Sequence, residues 1–110
     1  MESPIMSPVA LSALVEPQPG SIVSRVIFRN QGGSQSLFAF AEGQGLQEHT
    51  NSSDAIVFVL EGRVDVVLDG VTHAVETGEA LLLPATIPHA LVGGAPFKML
   101  LTLMNSSDDG

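Results

Sequence analysis

From residue 21 onward the apolar positions of this chain come in short runs broken by glycine, asparagine and aspartate, with no stretch that keeps a helical period. Runs such as AlaIleValPheValLeu and ValAspValValLeu are rich in β-branched residues. They place strands at 22–29, 35–41, 47–50, 55–60, 64–68, 71–75, 80–83, 89–92 and 97–104. Asp69–Gly70, between ValAspValValLeu and ValThrHisAlaVal, predicts a two-residue hairpin, because both central residues of a type I′ turn need positive φ. Gln31–Gly33, Glu61–Arg63 and Thr77–Glu79 punctuate the chain in the same way. Many short strands at even spacing predict an all-β fold, an antiparallel sandwich or barrel.

The first twenty residues differ. They hold four of the seven prolines, and Val9–Val15, between Pro8 and Pro17, has room for only a turn or two of helix. So short a helix is unstable alone, and its apolar residues predict docking on the body or contact with a second copy. The expected organisation is an N-terminal proline-rich arm at 1–20, one barrel at 21–105 and a frayed tail at 106–110.

Composition narrows the function. At 110 residues, the chain is long enough for one real, if small, core. Four basic residues stand against twelve acidic ones, a formal charge of −8, which argues against nucleic acid and against an anionic membrane surface. There is no cysteine, so any metal must be held by His, Asp, Glu, Asn or Gln. The N-terminus lacks a basic segment ahead of its modest apolar stretch, and no apolar run approaches the ~20 residues of a membrane span. A cytoplasmic protein is expected.

Two spaced motifs carry a resemblance. Gly43, His49 and Gly62 fit the pattern GxxxxxHxHxxxE followed six residues later by G, and Gly78, Pro84 and His89 fit GxxxxxPxGxxH. In both, the chain resembles the cupins, small barrels of jelly-roll type. The resemblance implies a single antiparallel β-barrel of that type, behind a short N-terminal arm, and for domains of this size a homodimer in which strands or arms exchange.

The departures from the motifs bear on function. A metal-binding cupin is expected to ligate its ion through two histidines and a glutamate of the first motif and one histidine of the second. Here Asn51 stands at the second histidine and Ala55 at the glutamate, so only His49 and His89 remain. Two neutral imidazoles supply no anionic donor, an amide oxygen is a weak ligand for late transition metals, and alanine supplies none. Thr86 stands where the second motif has glycine.

Strand alternation puts Gln47, His49 and Asn51 on one face and Glu48 and Thr50 on the other. SerSerAsp, ending at Asp54, reads as a turn closed by the aspartate side chain. The leading expectation is a small-molecule pocket built from Gln47, His49, Asn51 and His89, able to hydrogen-bond a ligand or to move a proton, since imidazole ordinarily titrates near neutrality. The alternative is a metal-dependent isomerase or dioxygenase with a reduced ligand set, His49 and His89 holding zinc, nickel, iron or manganese. A third is a regulatory protein whose barrel is filled by its own side chains. The sugar epimerases of this fold pair a histidine base with a tyrosine acid, and the chain has no tyrosine. His73, in neither motif, is expected to be structural, and Arg25, Arg29 and Arg63 to be solvated or ion-paired.

Overall fold

The computed structural model describes residues 3–105; Met1, Glu2 and the predicted tail at 106–110 lie outside them. Nine strands follow a single 3₁₀ turn, Leu11–Leu14: β1 Ile22–Asn30, β2 Gly33–Phe40, β3 Leu46–His49, β4 Asp54–Glu61, β5 Arg63–Leu68, β6 Val71–Glu76, β7 Ala80–Leu83, β8 His89–Val92 and β9 Phe97–Met104. All nine expected strands form, with ends shifted by two residues at most. They build a five-stranded sheet, β1-β2-β9-β4-β7, and a four-stranded sheet, β3-β8-β5-β6, with antiparallel neighbours throughout. This is the expected jelly roll, although the two sheets do not close strictly on one another. Asp69 and Gly70 have φ of 51° and 81°, as a type I′ hairpin requires.

Alternation along the strands divides the five-stranded sheet into two apolar faces. Phe40, Ala55, Val57, Val59, Phe97 and Met99 point inward and meet Val64, Val66, Val75 and Leu91 of the facing sheet. Within this core Phe40 and Phe97 stack with ring centroids 4.4 Å apart and planes 8° from parallel. Leu37, Ala39, Leu60 and Leu100 point the other way. There the arm covers them, with Val15 buried against Ile27 and Leu11 and Leu14 packed beside it. Full burial of an aliphatic side chain contributes roughly 1.5–3 kcal/mol, so a handful of such contacts holds a segment too short to be helical alone.

Polar contacts fix the arm in place. The Lys98 ammonium, on the arm side of β9 and only 6% exposed, donates to the Ser12 carbonyl at 2.6 Å and lies 3.5 Å from Glu16 and 3.6 Å from Glu61. Arg25 donates to the Leu14 carbonyl at 3.4 Å, and the Ser3 hydroxyl donates to the Ile27 carbonyl. The lysine in the otherwise apolar PheLysMetLeu thus ties β9 and β4 to the arm. Arg63, as expected, is exposed and ion-paired, with Asp65 at 3.0 Å and Glu76 at 3.7 Å.

Candidate functional site

The two motif histidines become neighbours through strand pairing. β3 runs antiparallel to β8, with His49 directly opposite His89. Opposed residues in an antiparallel pair have Cβ atoms ~5 Å apart. The rings accordingly lie 4.4 Å apart between centroids, in an edge-to-face arrangement with planes at 67°. His89 is buried and His49 exposed, so the pair spans the boundary between core and solvent.

Strand β3 carries an irregularity that alternation alone did not predict. Leu46 pairs with Leu91 and His49 with His89, so three steps on β3 oppose two on β8: a β-bulge. The extra residue resets the facing. Leu46 joins His49 in lining the cavity behind the pair, and Gln47 is absent from that lining. The expectation that Gln47 shares the pocket face is corrected on this point. Gln47 acts instead through its backbone, whose carbonyl accepts from His49 Nδ1 at 2.9 Å. Beyond the bulge, Gly45 and Gly93 let the two backbones approach closely: a Cβ on Gly45 would collide with the Leu91 carbonyl, and one on Gly93 with the Gly43 carbonyl.

His49, Asn51 and His89 do line one cavity, of about 50 Å³. Its remaining walls are Leu46, Ala55, Val57, Leu83, Leu91, Met99, Leu101 and Leu103. At ~10–15 Å³ per water-sized sphere, it has room for roughly three to five small atoms. Apart from Leu46 of β3, the apolar walls come from the inward positions of β4, β7, β8 and β9, a signal already present in the strand pattern. None of the five phenylalanines lines it. His73 lies elsewhere, in a shallow groove with Glu79 and Leu81 between β6 and β7.

The hydrogen bonds of the two rings set their chemistry. His89 repeats the arrangement of His49, with Nδ1 3.2 Å from the Ile87 carbonyl, again two residues back. A carbonyl can only accept, so each Nδ1 carries a proton, and in the neutral form of the ring the Nε2 lone pair is left uncommitted. Among the described residues neither Nε2 has a hydrogen-bond partner.

Asn51 and Asp54 are largely occupied by structural bonds. The Asn51 side-chain oxygen accepts from the Ser53 amide at 3.1 Å, closing the SerSer turn. That role had been expected of Asp54. The Asp54 carboxylate instead crosses to the second motif and accepts from the Ala85 amide at 2.7 Å, while the Asn51 carbonyl accepts from the Thr86 amide at 2.7 Å. Together these bonds hold the loop that leads into His89. Thr86, where the motif has glycine, keeps the left-handed conformation with φ of 68°, a strained setting for a β-branched residue.

The donor set does not fit a resident metal ion. Among the described residues no three His, Cys, Asp or Glu side chains gather closely enough to hold one. Two imidazoles face the cavity, the carboxylate position is Ala55, the Asn51 oxygen is engaged, and Asp54 is turned to Ala85. Nothing anionic remains to offset the cost of stripping water from a divalent ion.

Comparison with known proteins agrees with this architecture. The family model of the cupin domain matches residues 36–103. A conserved protein of unknown function from Streptococcus pyogenes is 28% identical, with 94% of this chain and 90% of that one aligned at a TM-score of 0.86. A cupin superfamily protein from Desulfitobacterium hafniense is 25% identical over 96% of this chain and 97% of that one, with a TM-score of 0.88. A cupin 2 conserved barrel domain protein from Leptotrichia buccalis is 37% identical over 86% of this chain but only 46% of its own length, with a TM-score of 0.81. No curated protein matches the chain. No helix among the described residues is long and apolar enough to cross a membrane.

Proposed function

The chain belongs to the cupin family, and from that premise we propose that it binds a small molecule at the His49–His89 mouth of the barrel, without a resident metal. The observation that carries this reading is the matched pair of imidazoles, each anchored through Nδ1 to a main-chain carbonyl, with Nε2 unmet by any described residue, on two residues that line an apolar cavity. Anchored rings are oriented in advance, so little side-chain freedom is lost on binding. The ligand has a short apolar body for the space between the sheets and a polar head that stays at the open end, where His49 is exposed.

The reading is tested by NMR detection of fragment binding, together with elemental analysis of the purified protein. Fragments of a few heavy atoms are expected to shift the signals of His49, Asn51 and His89 saturably, with His89→Leu losing the response. Stoichiometric zinc, nickel, iron or manganese surviving purification overturns it in favour of a metal-dependent cupin enzyme. A barrel that admits no fragment overturns it in favour of a domain filled by its own side chains.

A further inference from the structure

The polar groups at the cavity also constrain the head of the ligand. Resting on the binding reading above, we propose that it is a primary ammonium group on a short aliphatic chain. Two acceptor lone pairs, one on each Nε2, sit on rings 4.4 Å apart and are not met by any described residue. A ligand that bonds both rings through Nε2 must therefore donate to each of them. An ammonium nitrogen carries three N–H donors, a hydroxyl only one, and a carboxylate none. Hydrogen bonds from a charged donor are also roughly twice as strong as neutral ones.

Charge favours the same class. No Lys or Arg lines the cavity, so an anionic head would meet no cation there, only the side-chain amide of Asn51. The chain as a whole carries a formal charge of −8, a field that concentrates cations and repels anions at its surface. The walls behind the imidazoles, among them Leu83, Leu91, Met99 and Leu101, accept only hydrocarbon. With space for roughly three to five small atoms, the chain attached to the ammonium is about three carbons long.

The test compares three probes of nearly equal size, propylammonium, 1-propanol and propionate, added to the wild-type protein at pH 8. There an ordinary imidazole is neutral and a primary amine still protonated. Long-range ¹H–¹⁵N spectra of the imidazoles first establish the tautomer, with both rings expected to show a protonated Nδ1. Propylammonium is then expected to shift both Nε2 resonances saturably and to bind about tenfold more tightly than 1-propanol, a gap of ~1.4 kcal/mol, with propionate inert. His49→Gln, its backbone spectrum otherwise retained, is expected to lose about that tenfold. If 1-propanol or propionate shifts the rings at equal or lower concentration, the ammonium class is wrong while the binding site stands. If none of the three shifts them, or if either ring is protonated on Nε2, the inference falls, and the fragment screen separately decides the fate of the site.

Discussion

The outer face of the five-stranded sheet and the cavity between the two sheets each hold one buried polar group, and the two are used differently. On the outer face Lys98, 6% exposed, is surrounded by the Ser12 carbonyl, Glu16 and Glu61. At the inner cavity His89, also 6% exposed, spends one ring nitrogen on the Ile87 carbonyl and keeps the other. Equal burial therefore says little about role. A buried polar group ringed by partners from within the chain holds structure together, whereas one whose acceptor is left unmet at a cavity is available to something else.

The strongest way to break the contrast is to damage the inner core between the two sheets. Phe40→Ala removes a ring fully buried in the inner core and stacked on Phe97, and is expected to cost about 3–5 kcal/mol in chemical denaturation. Such a loss should disturb the ligand site and the arm together. A cost below about 1 kcal/mol would mean that the inner core is loosely packed.

Lys98→Ala separates the faces. It leaves the Ser12 carbonyl and two exposed carboxylates without their cation, and is expected to cost about 2 kcal/mol. The two glutamates are exposed enough for water to screen much of the Coulombic part. Hydrogen exchange should speed up in the arm while the ring signals of His49 and His89 stay in place; a shift of those signals would show that the two faces are coupled.

Smaller effects sharpen the inner half of the comparison. Asp54→Ala removes the acceptor for the Ala85 amide and should cost about 1–2 kcal/mol, with the larger disturbance in the loop before His89. Thr86→Gly relieves a positive φ of 68° and should stabilise by about 1 kcal/mol, or less once the added freedom of the unfolded glycine is counted. Thermal denaturation reads both, and a destabilised Thr86→Gly variant would show that the threonine side chain contributes more than its backbone costs. Smallest of all, His49→Leu should change stability by no more than about 0.5 kcal/mol, since the residue is exposed. Binding should nevertheless be lost. A cost of several kcal/mol would class His49 with Lys98 as structural.

Much of this molecule follows from its one-dimensional pattern. The nine strands and the Asp69–Gly70 hairpin were legible because strand alternation and turn chemistry act over a few residues, while the jelly roll and the survival of only His49 and His89 at the metal-ligand positions came from the resemblance of the two motifs to the cupins. Three features were decided only when strands distant in sequence met. The bulge in β3 put Leu46 rather than Gln47 at the cavity, the Asp54 carboxylate crossed to the Ala85 amide, and the arm closed over Lys98. Each depends on which residue of a partner segment stands opposite, and a shift of a single residue reverses a side chain's facing. Local pattern carries the fold for that reason, while the hydrogen-bond capacity left over at the two imidazoles, on which any function of this site rests, is a property of the assembled barrel alone.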